Sequence, residues 1–421
     1  MSKLAIFGGE KAVTVDHPHY VWPKINDEKI NAVNKLLNDG VVSIYDDTGI
    51  IRTLEEDYLN YYNSKYAIAT SSGTMALYSA FFGCQIGPGD EVIAPTYTFL
   101  ATVMPLFQLG AIPILTDCDK KTGNIDPIEI EKNITAKTKA IVVTHMWGHP
   151  CDMSKIIKIA KSYGLKVIED CSHAHGATYY TQKVGTFGDV ACFSMQGNKI
   201  VSAGEGGMLI TNSQEIYERA TLIGHYRNRS QQCVESPFYR QFADTGFGLK
   251  LRIHPFAAAM AHIDMIHLDE NIKIRNENLN YLSRELEGLN GITPPFTDNN
   301  VTRGAYYGYK PFYDSSVNCN VKIERFIDAL KAEGVEAKKP GSKPLHLTKF
   351  FQTYHDGMYN KNWPKSYGYK TSVNGQFIKA EEFYSKTFGL PTFSETTDKI
   401  IIKQYVEAIA KVLENIDLLK E

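Results

Sequence analysis

Apolar residues along this chain gather in short unbroken runs, at 91–94, 112–115, 140–144, 166–168, 190–193 and 208–210. Each run has the length and bulk of a buried strand. Between two of them, at 152–163, the period becomes helical. Met153, Ile156, Ile157 and Ala160 fall on one face, and Gly164 stops the helix. Further helices are expected at 27–37, closed by Asn38-Asp39-Gly40, and at 75–82. Strands alternating with helices predict an α/β domain with a mostly parallel central sheet. Its ligand is expected beyond the carboxyl ends of the strands.

The pattern changes at Pro255. An Ala-rich opening is followed by Ile263, Ile266, Ile274, Leu279, Leu282 and Leu286 among charges, which predicts one long helix over 255–289. Beyond it, 306–312 reads as a short strand, and 323–332 and 399–416 read as helices. The stretch 353–376 holds Gly, Pro, Asn and Tyr with little period and reads as a surface loop. The expected organisation is an N-terminal arm and large α/β domain over 1–265. A connecting helix and a smaller C-terminal α+β domain then fill 266–421. No internal repeat or low-complexity tract interrupts it.

Composition narrows the classes. A chain of 421 residues exceeds one simple core and leaves interior enough to shelter an organic cofactor. Hydrophobic content of 43% and charged content of 22% are ordinary for a soluble globular protein. A net charge of −2 without a basic block gives no long-range attraction to nucleic acid. No apolar stretch nears the roughly 18 residues of a membrane span. The opening at 1–9 is too briefly apolar for a secretory signal. Seven scattered cysteines, with no Cys-x-x-Cys pair, point to reduced thiols and a cytoplasmic protein.

The candidate chemistry clusters after the strands. Lys199 lies in Ser194-Met195-Gln196-Gly197-Asn198-Lys199, followed by Gly204-Glu205-Gly206-Gly207, on a loop between two expected strands. Small neighbours let another molecule approach the backbone. A lysine sheltered there loses charge by desolvation and becomes a nucleophile. Ser71-Ser72-Gly73-Thr74 precedes a helix, so free backbone N–H groups and hydroxyls form either an anion site or a plain cap. Asp170 ends an apolar strand and opens a loop of small residues. His173 and His175 follow it, and His145, His149 and Cys151 lie on another loop, which leaves a metal reading open.

The stretch from Ser194 through Gly207, together with Ser72-Gly73-Thr74 and Glu169-Asp170, resembles the DegT/DnrJ/EryC1/StrS sugar aminotransferases. The Ser-to-Lys spacing is that of their cofactor-lysine segment, and the resemblance covers nearly the whole chain. It implies a fold-type I aminotransferase that uses pyridoxal 5'-phosphate (PLP) carried covalently by Lys199, with Lys199 also moving protons. It further implies that Asp170 pairs with the pyridine nitrogen, and that Ser72, Gly73, Thr74 and Ser194 hold the phosphate. Phe99, in Pro95-Thr96-Tyr97-Thr98-Phe99, would stack on the ring face, and His173 would stand beside the ring oxygen where glutamine is frequent. Gly248-Leu249-Lys250-Leu251-Arg252 resembles the segment a second subunit lends to the phosphate end. Lys250 replaces the asparagine of many relatives, and the shared site implies a homodimer.

The implied reaction is a ping-pong transfer from glutamate or glutamine to a ketone carbon. The first expectation for the acceptor is a nucleotide-linked keto-deoxysugar. The second is a free keto-cyclitol such as scyllo-inosose, to which the Met195-Gln196 variant is similar. A metal-dependent hydrolase on Asp170, His173 and His175 is the reading from another class. Tyr226, Arg227, Arg229, Tyr306, Tyr307, Tyr309 and His346 stand as unassigned substrate-side candidates.

Overall fold

Short apolar runs become strands because residues buried on both faces of a parallel sheet need no polar alternation. The computed structural model describes residues 3–353, 365 and 368–420. Its central sheet has strands β1 (Tyr66–Thr70), β2 (Glu91–Pro95), β3 (Ile112–Thr116), β4 (Thr138–Thr144), β5 (Lys166–Asp170), β6 (Val190–Ser194) and β7 (Gly207–Thr211). The spatial order is β1-β7-β6-β5-β4-β2-β3. Only β7 runs against its neighbours within this sheet. The carboxyl ends of β1, β2, β4, β5 and β6 therefore meet along one edge.

Helices cover both faces. They are α1 (Asp27–Asn38), α2 (Gly49–Tyr62), α3 (Gly73–Gly83), α4 (Met153–Tyr163), α5 (Gln214–Gly224) and α6 (Pro255–Ile266). Strand alternation sorts the side chains between the faces. On β1, Ile68 packs with α3 and α5, while Ala67 and Ala69 face α2 and α6. On β2, Val92 and Ala94 join the α3 side, and Ile93 joins α4. α4 forms where expected, capped by Asp152 and closed by Gly164 in the left-handed region at φ 65°.

The predicted long helix over 255–289 is two helices. α6 ends at Ile266, His267 takes φ −97° and ψ 9°, and α7 (Leu268–Leu286) starts anew. The break has a packing reason. Ala258, Ala261 and Met265 of α6 belong to the large core, whereas Leu279, Leu282 and Leu286 of α7 belong to the C-terminal one. That second core also holds α8 (Ile323–Ala332) and α9 (Lys399–Glu414), close to their expected positions. It includes Leu4 and Val13 of the N-terminal arm as well. The buried Glu333 carboxylate accepts from the amides of Ala5 (2.8 Å) and Ala12 (3.1 Å) and pairs with Lys411.

The expected strand over 306–312 reduces to Phe312–Tyr313, paired with Ile292–Thr293, and a lone bridge from Tyr309 to Leu390. Tyr306 sits at φ 43°, and no strand runs through that backbone. The loop expected at 353–376 falls largely outside the described residues. No helix among the described residues is long and apolar enough to cross a membrane.

Candidate active site

The shared edge of the sheet gathers most of the expected side chains. β1 leads into Ser72, which caps α3 by accepting from the Met75 amide at 3.2 Å. The first amides of a helix have no partner within it, so those of Gly73 and Thr74 remain available. Two contacts make a cradle there. A Cβ on Gly73 would lie 2.7 Å from that of Ser194 at the end of β6, and one on Gly207 would lie 2.3 Å from the Ser72 oxygen. Only glycine lets the three segments approach so closely. Hydroxyls, free amides and a helix start form a donor set that fits a phosphate.

Lys199 follows β6 and is 7% exposed. Its amide bonds to Gln196, and Trp22 Nε1 donates to its carbonyl at 2.6 Å. The loop is fixed further on, where the Ser202 amide donates to Asp264, itself paired with buried Lys29 at 2.7 Å. Burial lowers the Lys199 amine to about 7, against the opposing pull of the Asp170 carboxylate. The amine stands 3.7 Å from the centre of the Tyr307 ring.

Asp170, 4% exposed, closes β5. Thr102 Oγ1 donates to one carboxylate oxygen at 2.7 Å, and the Ser172 amide to the other at 3.1 Å. Thr98 and Thr144 hold Thr102 in turn, at 2.7 and 3.3 Å. Two bonds leave lone pairs on a group that can accept about four. Phe99 lies between Thr98 and Thr102 and is 52% exposed, a flat surface left open at this edge. Buried Tyr97, two residues earlier, is core instead.

His173 is buried among near-parallel rings, its centroid 4.0 Å from Tyr307 and 5.4 Å from Trp147. Its Nδ1 has no partner among the described residues. Burial, then the charges of Lys199 and Lys310, hold this imidazole well below its usual range. His175 turns elsewhere: Nε2 meets the Tyr58 hydroxyl at 2.9 Å, and burial lowers it to about 3.

Other candidates disperse. Lys250 is exposed, although its neighbour Leu251 accepts from the Ser71 amide at 2.7 Å. Arg229 is locked in a bidentate pair with buried Glu55, at 2.8 and 2.9 Å. Tyr306 and Tyr309 are packed in the C-terminal core. His346 bridges Thr96 and Glu381. Asp170, His173 and His175 are not among the sets near enough to share an ion. Among the described residues those sets are His17, His19 and Glu336, and buried His145, Glu169 and Cys171. In the latter, Glu169 already accepts from the Gly185, Phe187 and Gly188 amides. A cavity of about 380 Å³ lined by Asn276, Asn280, Thr297, Arg303 and Tyr306 takes in one substrate-side candidate, Tyr306, but none of the residues expected to hold PLP. The convergence of strand ends locates the chemistry better than that hollow does. Trp22, Thr102, Trp147 and Lys310 were not anticipated, since nothing in their local sequence marks them.

A near-neutral buried lysine, a carboxylate with spare lone pairs and a phosphate-sized cradle at one sheet edge define a PLP-dependent aminotransferase of fold type I. The chain belongs to the DegT/DnrJ/EryC1/StrS aminotransferase family, whose pattern matches residues 23–409. It is 32% identical to the L-glutamine:2-deoxy-scyllo-inosose aminotransferase of Streptoalloteichus tenebrarius over 83% of each chain. It is 35% identical to the GDP-perosamine synthase of Escherichia coli O157:H7 over 63% of this chain and 71% of that one. Among solved structures, an aminotransferase from Psychrobacter cryohalolentis superposes with a TM-score of 0.81 at 29% identity, over 95% of this chain and 100% of that one.

Proposed function

We propose that this protein moves an amino group from glutamine or glutamate to the carbonyl carbon of a keto sugar, foremost a nucleotide-linked keto-deoxysugar, in amino-sugar biosynthesis. The observation that carries this reading is the Lys199 amine, lowered to about 7 and under the field of Asp170, at the sheet edge that also holds the Ser72–Gly73 cradle. In this reading Ser72, Gly73, Thr74 and Ser194 bind the PLP phosphate. Phe99 covers one face of the ring, and His173 meets the ring oxygen through its free Nδ1. Asp170 holds a proton at the ring nitrogen, with Thr102 fixing the carboxylate. When bound, PLP withdraws electrons from the carbon beside the substrate nitrogen. Lys199 Nζ would hold the group and, once displaced by the donor's amine, would move a proton to and from the substrate carbon. An amine poised near neutrality suits both directions.

The named relatives support the acceptor class: one is a GDP-perosamine synthase, and another is named for L-glutamine and 2-deoxy-scyllo-inosose. A second reading, amination of a free keto-cyclitol, draws on Met195-Gln196 and on the longer of those two matches. We also assign a homodimer. Phe238, Phe242, Phe247 and Leu249 form an exposed apolar stretch beside Lys250, which would serve the phosphate end of a second copy's site. The division into 1–265 and 266–421, and a cytoplasmic setting for seven free thiols, belong to the same proposal.

The test is direct. Protein incubated with PLP should gain a visible band that borohydride bleaches, leaving a reduced adduct on Lys199 by mass spectrometry. Glutamine with a panel of nucleotide-linked keto sugars and 2-deoxy-scyllo-inosose then identifies the acceptor. Amine formation only from the cyclitol would replace the first reading with the second.

A further inference from the structure

We propose that Lys310 is the anchor for a carboxylate of the amino donor, an inference that rests on the aminotransfer reading above. Lys310 is 8% exposed, and its Nζ stands 4.9 Å from the Trp147 ring centre. Among the described residues it has no hydrogen-bond or ion-pair partner. Burial and the charge of Lys338 lower its amine to about 8, with no acidic group acting in the opposite sense. Other deeply buried cations are met: Lys29 is paired with Asp264 and Arg229 with Glu55, while Arg275 and Arg303 donate to carbonyl and hydroxyl oxygens. A buried charge without a partner is costly, and an apolar side chain would serve packing better.

Two glycines shape the surroundings. Gly389 and Gly308 clear the space that the lysine fills: a Cβ at Gly389 would lie 2.5 Å from Nζ, and one at Gly308 would lie 3.3 Å from Cε. Two more buried donors in this neighbourhood have no partner among the described residues, Trp147 Nε1 and the Tyr97 hydroxyl, whose ring centre is 6.3 Å from that of Trp147. Buried donors left unmet are rare, so two of them on neighbouring aromatic side chains, one packed against this cation, mark a place for an oxygen-rich anion. The position is also the right one. Trp147 and Tyr307 both lie against His173, and Lys199 stands over Tyr307 as Lys310 stands over Trp147. Both lysines depress the same imidazole. One cation near neutral donors suits a single carboxylate rather than a diphosphate, and glutamine and glutamate share an α-carboxylate.

The experiment uses PLP-loaded protein and the variants Lys310→Met and Lys310→Arg. Glutarate, an unreactive dicarboxylate, is the binding probe by calorimetry, with inorganic pyrophosphate beside it. Lys310→Met should weaken glutarate and raise the KM for glutamine about 10- to 100-fold, the usual loss for a charge-assisted bond. It should leave the acceptor KM unchanged, and Lys310→Arg should recover part of the loss. The Met variant should melt no lower than wild type; a much lower melt would mark Lys310 as structural and overturn the inference. Unchanged glutarate binding, or a loss confined to pyrophosphate and the acceptor, overturns it too. If Lys199 still forms its adduct in that case, aminotransfer stands without this anchor. An absent adduct in wild type overturns both.

Discussion

Glu169 and Asp170 are neighbouring carboxylates on β5, both buried, and strand alternation sends them to opposite sides of the sheet. Glu169 is saturated. Three loop amides at 2.7–2.8 Å and His145 at 3.1 Å take its oxygens. Asp170 has one hydroxyl and one amide, with lone pairs to spare. The difference separates a carboxylate that builds a loop from one that is held ready for a ligand. Around Asp170 the same incompleteness recurs in Lys199, in His173 Nδ1 and in the amides that open α3.

The comparison breaks first at Lys199. Lys199→Ala should remove transamination by roughly 10⁴-fold, the upper range for a lost acid–base group, while circular dichroism shows an intact fold. Asp170→Asn should lower turnover by about 10²–10³-fold, as for a lost electrostatic partner, with little change in melting temperature. Glu169→Gln should do the reverse. It strands buried amides and should cost about 2–4 kcal/mol in denaturant unfolding, while the folded fraction keeps its turnover. Equal stability losses at 169 and 170 would erase the distinction drawn here.

Acid–base behaviour sharpens it. The Lys199 amine titrates near 7 when folded, against 10.5 as the ordinary value. Between those values the unfolded chain binds the extra proton, so apo-protein stability should rise with pH across that window. Lys199→Met should flatten this slope in thermal melts taken without PLP. The smallest effect is expected at Thr102→Val, which removes one hydroxyl from Asp170. It should lower turnover several-fold, in line with about 1 kcal/mol for a single bond, and leave PLP attachment intact.

The places of Asp170, Ser194 and Lys199 were legible because each stands at or past the end of a short apolar run, and strand ends converge in a parallel sheet, whereas Ser72 and Gly73 were legible as the start of a helix. The expected strands from 91 to 193 were legible from the same apolar runs. Residues that reach the site through space were not. Trp147 arrives in a left-handed turn at φ 56°, Tyr307 and Lys310 come from the C-terminal part, and Thr102 from a short 3₁₀ turn's end. α2 and β1, at Gly49–Tyr62 and Tyr66–Thr70, also escaped notice. The break at His267 was hidden because each half-helix keeps an apolar stripe, and only the partner cores reveal that the stripes face different ways.

The indole of Trp22 gripping the carbonyl of Lys199 gives the leading segment a task beyond tying off the polypeptide. Residues 4 and 13 are embedded in the C-terminal core, so one strap spans from there to the peptide unit of Lys199. A chain shortened past Trp22 would lose both moorings together. Its Lys199 amine would wander even if every other side chain at the sheet edge were untouched.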